Sequence, residues 1–346
     1  MTDPETISRR ATVHDVARAA GVSLATVDRV LNGRPGVRQA TAEKVEAAIR
    51  ELDFRRDLSA SLLARARDLR VVFLIPGGRN ELMDNSRAAI QRRRRAAHAE
   101  RLHLEAEAYT AFDSEELARR IGALDPRNCD CAVVVATEDE AVRLALDAAA
   151  RCGVSVMTLV SDVPGSARRV FIGIDNVAAG RTAGSLMGRF CESGKVGIIA
   201  GSLHLRDHRE RLEGFRAVLA AEFPEVKLVG PLEGLDEAER TAAAVGTLLR
   251  AHPDLAGLYN LGAGNDGLLE ALGEVGPGQL RVIAHELSAS TREGLAAGLI
   301  DVVLDQNPDG EIRSAIATAR GLGLGRHGDV HPEAIEIGIF LRDNLR

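Results

Sequence analysis

The residues able to do chemistry in this chain gather at the ends of short apolar runs. VVFLIP (71–76) leads to Asn80, VSVMTLV (154–160) to Ser161 and Asp162, and KVGIIAG (195–201) to a loop holding His204, Asp207 and Arg209. LAGLYNL (255–261) leads to Asn260 and Asn265, RVIAH (281–285) to Glu286, and DVVLDQ (301–306) closes on Gln306. Amide, carboxylate and guanidinium groups together supply hydrogen-bond donors and acceptors, which suits a small molecule rich in hydroxyls and does not suit an apolar one. The competing reading of Asp162, Asn265 and Glu286 is that each is a water-exposed loop or capping residue.

Other spacings say less. Gly262-Ala-Gly264-Asn-Asp-Gly267 fits G-x-G-x-x-G, follows an apolar run, opens a helical stretch and has Glu286 downstream to take a ribose hydroxyl, as in an NAD(P)-binding enzyme or sensor. That fingerprint belongs to the first βαβ unit of a dinucleotide fold, whereas this match lies late in the chain. His204 and His208 are four apart, but no glutamate takes the zinc-protease position and no third ligand follows, so a solvated loop is expected. Cys129-Asp-Cys131 is half a metal site and reads as the start of a buried strand, and the arginine run 92–95 reads as a solvated helix face. No catalytic constellation remains. The expectation is a binding protein that is not an enzyme and needs no cofactor and no metal.

A second group has helical spacing. In VSLATVDRVLNG (22–33), Leu24 and Asp28 lie four apart, as do Ala25 and Arg29, so these four share the face opposite Val27 and Val30. A forked guanidinium on such a face suits a base edge, while Asp28 opposes a phosphate. Residues 1–70 carry a net +3 within a chain of net −6, which confines any polyanion contact to the front.

Local signals place these residues on elements. Thr12 can cap a helix with Val13, Val16, Ala17 and Ala20 on one face, and Gly21 stops it. Ser23 caps a second helix, stopped at Asn32-Gly33, and a third is expected over about 41–52. Arg55–Arg70 reads as a linker able to become helical. Beyond it, apolar runs alternate with amphipathic stretches, the βαβα pattern of doubly wound parallel sheets, and so many strands over the remaining chain imply two of them. The fold class is therefore α/β: a small all-α helix-turn-helix head followed by two Rossmann-like subdomains. The 346 residues suffice for separate cores, and no apolar run approaches the roughly 18 to 20 residues of a membrane span. The N-terminus carries no secretory signal and the four cysteines form no framework, so a cytoplasmic protein without a membrane partner is expected.

TVHDVARAAGVSLATVDRVLNG, followed by VRQATAEKVEAAIRELDFRRDLSASLLAR, resembles the DNA-binding head of the lactose/galactose repressor (LacI/GalR) family. GIDNVAAGRTAG, RDHRERLEGF, AHPDLAGLYN and DQNPD resemble that family's core, which is related to periplasmic sugar-binding proteins (type 1) of ribose-binding kind. The resemblance implies a disordered N-terminus (1–10), a head (11–54), a hinge (55–69) and a core (70–346). In the core it implies an N-subdomain of about 70–174 and 307–328 and a C-subdomain of about 175–306 and 329–346. It implies that Leu24, Ala25 and Arg29 reach base edges, with Asp28 beside them, while Thr12, His14, Ser23, Thr26 and Asn32 hold phosphates. Leu63 would wedge into the minor groove. Asn80, Ser161, Asp162, Arg209, Glu286 and Gln306 would take a sugar-like effector, with Asn260 and Asn265 competing for one position. The partners implied are double-stranded operator DNA, a small-molecule effector (sugar, polyol or sugar derivative) and a second copy of the chain. With no heptad segment after IEIGIFLRDNLR, a homodimer is expected rather than a tetramer. Departures exist: Phe54-Arg55-Arg56-Asp57 precedes the hinge where Tyr-Arg-Pro-Asn is usual, and the chain has no Trp and two Tyr to stack a sugar ring.

Overall fold

The computed structural model describes residues 12–31, 36–52, 68–323 and 331–345. The expectations for Asn32, Leu63, the N-terminus (1–10) and residues 55–67 of the hinge (55–69) lie outside the described residues.

Three helices form the head: α1 (Val13–Ala20), α2 (Leu24–Leu31) and α3 (Gln39–Glu51). The start of α1 is a capping box, in which Thr12 Oγ1 accepts from the Asp15 amide at 3.3 Å and the Asp15 carboxylate accepts from the Thr12 amide at 2.9 Å. Gly21 ends α1 at φ 64°, a left-handed conformation that a β-carbon would oppose. Ser23 Oγ then accepts from the Thr26 amide at 3.2 Å and opens α2. Val16, Val27 and Val45, one from each helix, are fully buried against Ala17 and Ala48. Burying this small cluster fixes the mutual angle of α1 and α2, and so turns the opposite face of α2 outward.

The rest of the chain forms two sheets. Strands β1 (Leu69–Pro76), β2 (Leu102–Tyr109), β3 (Cys131–Val134), β4 (Ser155–Leu159) and β5 (Val170–Ile172) are all parallel in the order β2-β1-β3-β4-β5. The second sheet has the order β11-β10-β9-β8-β6-β7. Its strands are β6 (Gly194–Ala200), β7 (Val226–Glu233), β8 (Leu255–Asn260), β9 (Arg281–His285), β10 (Val302–Asp305) and β11 (Gly338–Phe340), of which only β11 runs antiparallel to its neighbour. Helices cover both sheets: α4 (Glu81–Ala99), α5 (Ser114–Gly122), α6 (Glu140–Arg151), α7 (Asn176–Cys191), α8 (Arg206–Glu222), α9 (Ala238–Ala251), α10 (Asn265–Val275), α11 (Ala289–Ala297) and α12 (Pro308–Gly323). The chain leaves the first sheet after β5 and returns to it with α12, whose Ile312, Ala315, Ile316 and Ala319 join the core around Val71 and Phe73.

The inner strands β1, β3, β4, β6, β8, β9 and β10 are apolar runs, buried on both faces. The edge strands β2 (LHLEAEAY) and β7 (VKLVGPLE) give no such run because half their side chains face water. Cys129 and Cys131 are buried at the start of β3, and burial pushes the Cys129 thiol up to about 12. The arginine run is not simply solvated: Arg92 and Arg93 both donate to Asp309 in the first turn of α12, at 2.8 and 2.6 Å.

Candidate functional site

The two sheets bring their carboxyl ends to one cavity of about 810 Å³. Its lining takes Asn80 after β1, Thr137 after β3, Ser161 after β4, Asp207 in α8, Asp236 after β7, Asn265 after β8, Glu286 after β9 and Gln306 after β10. Asn80, Ser161, Asn265, Glu286 and Gln306 therefore meet as the strand-end pattern expects. Asn80 also caps α4, accepting from the Met83 amide at 3.2 Å, and its amide donates across the cleft to Asp236 at 3.3 Å.

Asp162, Arg209 and Asn260 do not line the cavity. Asp162 accepts from Thr158 Oγ1 at 2.6 Å and is gripped by the Arg168 guanidinium, so its carboxylate is used up within the first lobe. Asn260 is fully buried and donates to Asn265 Oδ1 at 2.9 Å, while Asn265 donates to the His285 carbonyl at 3.0 Å. Of the two asparagines Asn265 lines the cavity, with Asn260 hydrogen-bonded behind it. Arg209 is exposed and pairs with Glu138 of the first lobe, beside Arg206, which reaches the same carboxylate at 3.2 Å.

The buried arginine of the cavity is Arg211, with Arg79 and Arg120 as less buried members of its lining. Helix α8 begins at Arg206, so Asp207, His208, Arg211 and Phe215 share its inner face, and His208 is buried where a solvated loop was expected. Close contact of α7 with α8 holds this face in place. A β-carbon on Gly180 would sit 1.9 Å from the Arg211 carbonyl oxygen, and one on Gly214 would sit 2.1 Å from the Val177 carbonyl oxygen. With the helices that close, Arg211 Nε donates to Asn176 Oδ1 and Nη1 to the Leu261 carbonyl, both at 2.9 Å. Its Nη2 is left without a partner. The i, i+4 spacing of Asp207, Arg211 and Phe215 beside Gly214 is the sequence signal that identifies this face.

Five lining atoms are buried and unpartnered: Ser161 Oγ, Asp207 Oδ1, Arg211 Nη2, Glu286 Oε2 and Gln306 Oε1. Each such group costs roughly 1–3 kcal/mol when left unsatisfied, and all five face one void whose occupant could supply their partners. Val160 (φ 64°) and Glu286 (φ 71°) adopt left-handed backbone at the cavity wall, a strained state for a β-branched residue, and so aim Ser161 and the Glu286 side chain inward.

Burial dominates the electrostatics. It pushes the Glu286 carboxyl up to about 8, against the pull of Arg211, whose Nη1 lies 3.9 Å away. Gln306 Nε2 donates to Glu286 Oε1 at 2.5 Å. Behind Glu286, Glu311 is fully buried, and burial together with Glu286 raises its carboxyl well above the usual range. His285 is held neutral by burial and by Arg211, with its Nε2 2.8 Å from the Tyr259 hydroxyl.

The glycines of the G-x-G-x-x-G match have protein neighbours. A β-carbon on Gly262 would lie 2.5 Å from the Gly201 amide, on Gly264 2.3 Å from Thr241 Oγ1, and on Gly267 1.8 Å from the Ala238 carbonyl. Packing of loops and of α9 on α10 accounts for all three.

In the head, Leu24, Ala25 and Arg29 are exposed on α2, and Asp28 is half-buried among them. His14 and Ser23 are exposed and Thr26 is half-buried. Thr12 is occupied by its capping box, and Arg18 reaches Asp15 at 3.5 Å.

Residues 71–326 match the family described as periplasmic binding protein domain, and residues 12–57 match bacterial regulatory proteins, lacI family. The maltose regulon regulatory protein MalI of Escherichia coli (strain K12) is 52% identical over 56 residues, 16% of each chain. Catabolite control protein A of Streptococcus mutans is 46% identical over 65 residues, 19% of this chain and 20% of that one. The matches thus span a fifth or less of these relatives. An ABC transporter solute-binding protein from Burkholderia graminis C4D1M, solved in complex with D-arabinose, is similar with a TM-score of 0.75 and 26% identity, over 81% of this chain and 97% of that one. GanP, a glucose-galactose binding protein from Geobacillus stearothermophilus, has the same fold with a TM-score of 0.72 at 20% identity, over 81% and 99% of the two chains.

Proposed function

The chain belongs to the lacI family of bacterial regulatory proteins, with a periplasmic-binding-protein core, and on that premise we propose that it is a DNA-binding transcriptional repressor of a carbohydrate or polyol utilisation operon. A homodimer presents two heads to the half-sites of a pseudo-palindrome. Arg29 reads a guanine through its two-pronged donor, Leu24 and Ala25 meet neighbouring base edges, and His14, Ser23 and Thr26 set the register on phosphates. A small polyhydroxylated effector fills the cavity and supplies partners to Ser161, Asp207, Arg211, Glu286 and Gln306, with Asn80 and Asn265 at its edges. The single observation that carries this reading is the convergence of five buried, unpartnered polar atoms from both lobes on one void.

Contacts across the cleft supply the coupling. Ser290 Oγ donates to Glu81 at 2.9 Å, Asn80 to Asp236 at 3.3 Å, and Arg206 to Glu138 at 3.2 Å. A ligand bridging the two lobes favours the closure that these contacts also favour, and closure sets the separation of the two heads. Selection of bound sequences from random DNA at moderate salt, followed by a sugar and polyol screen against the complex, tests the proposal. A preferred palindrome whose occupancy responds to a polyol is expected. No preferred sequence would overturn the regulator reading and favour a solute-binding protein, the kind of protein the solved relatives are.

A further inference from the structure

The acids that line the cavity are not equivalent. Glu81 accepts from Ser290, Glu116 from the Thr110 amide and Arg120, Asp236 from Asn80 and the Ala263 amide, and Glu237 from Arg240, while Glu239 and Asp266 are exposed. Asp207 and Glu286 are different: each is more than nine-tenths buried and keeps one oxygen, Oδ1 and Oε2, without a partner. Gln306 Oε1 is a third idle acceptor, and behind them both oxygens of the fully buried Glu311 lack partners. Against three buried acids stands one buried cation, Arg211, already donating to Asn176 and to the Leu261 carbonyl. The floor of the cavity therefore gathers unpartnered oxygens of Asp207, Glu286 and Gln306 at one place, and a cation arriving there would let the buried carboxyl of Glu286 ionise.

A hydroxyl brings one hydrogen and no charge; a primary ammonium brings three hydrogens and the charge. We infer that the effector is a polyol bearing a primary ammonium group, an amino sugar or aminocyclitol in chemical class, with the ammonium against Asp207 and Glu286 and its hydroxyls toward Arg211 and Ser161. This rests on the reading of the cavity as the effector site. A polyol phosphate or aldonate would instead meet the acids of the floor, where the buried cation, Arg211, has only Nη2 idle, and would have to turn to the less buried Arg79 and Arg120 of the lining.

The charge balance has a measurable consequence. Arg211, Asp207, Asp305 and Glu311 all act on Glu286 or are acted on by it, and His285 behind it is neutral. Burial dominates, so in the empty cleft Glu286 keeps its proton at pH 7. An ammonium beside it favours the carboxylate, and the proton passes to solvent: protein carboxyl plus ligand ammonium gives the ion pair plus one released proton.

The test is titration calorimetry of the full chain at pH 7 in two buffers of different ionisation enthalpy. The probes are D-glucosamine, D-galactosamine, D-mannosamine and an aminocyclitol, each beside its hydroxyl parent, with glucose 6-phosphate as the anion. An amine should bind about tenfold or more tighter than its parent and release about one proton, while the phosphate fails to bind. Glu286→Gln should remove the proton release, and Asp207→Asn should bring the amine-to-parent ratio close to one. A parent binding as tightly as its amine overturns the inference and leaves the polyol reading standing. Failure of every amine and every parent to bind overturns both.

Discussion

The outer face of α2 and the floor of the cleft are opposite solutions to recognition. Leu24, Ala25 and Arg29 come from one helix, lie in water and hold no stored cost. The floor draws Asp207 and Arg211 from α8 and Ser161, Glu286 and Gln306 from three strand ends across both lobes, all buried and each with an unpartnered polar atom. A surface facing a polyanion can wait in solvent, because the phosphates bring their own field. A site for a small neutral or cationic molecule has few contacts to use and gains by pre-organising them at the expense of stability. Substitutions in the floor should therefore move stability and ligand binding together, and substitutions on α2 should move only DNA binding.

The sharpest break of that comparison is Arg211→Met. Arg211 is the buried cation one turn from Asp207 on α8, and removing it should destabilise the core by about 3–5 kcal/mol, the usual cost of breaking a buried pair. Denaturant unfolding reads this as a lower midpoint of the core transition, and an unchanged midpoint would mean that the acids around it need no cation. Next comes pH. Glu286 titrates near 8 in the folded chain, above its unfolded value, so its contribution is fully present below about pH 4.5 and is lost as pH rises through 8. Ligand-free stability should fall by up to a few kcal/mol over that window, and Glu286→Gln should flatten the profile.

Arg29→Ala should leave stability within about 0.5 kcal/mol and weaken specific DNA binding by about 1–3 kcal/mol, with relaxed preference at one base position in a selection experiment. Asp28→Ser divides two readings of that acid: uniform tightening on all sequences indicates phosphate repulsion, and a shift at one base indicates readout. Smallest is Glu138→Gln. Its partners Arg206 and Arg209 are both partly exposed, so the pairs should contribute about 0–1 kcal/mol to closure, read as a few-fold weaker effector affinity with the fold intact.

The same contrast decides what could be read before folding. The head was legible because its signals are local: Thr12 and Asp15 cap, Gly21 stops, and i, i+4 spacing sorts Leu24, Ala25, Asp28 and Arg29 onto one face. The inner strands were legible as apolar runs, and edge strands β2 and β7 were not, because half-exposed strands mix charge with apolar residues. Strand-end positions put Asn80, Ser161, Glu286 and Gln306 on the cavity wall, but the sequence does not mark the start of α8 at Arg206, and because two residues on a helix turn a side chain by about 200°, Arg211 lines the cavity while Arg209 pairs with Glu138. Glu311 carries a sequence signal of its own, an acid between Gly310 and Ile312 on a helix whose buried face it shares.

The central claim is that occupancy of the cleft sets the affinity of the heads. Fluorescence anisotropy of the full chain on its selected palindrome, with and without a saturating cleft ligand at fixed salt and pH, measures this directly. A change of about 5- to 150-fold in operator affinity, reduced by Asp207→Asn to the extent that ligand binding is reduced, is the predicted result. Equal operator affinity with the cleft demonstrably full would contradict it.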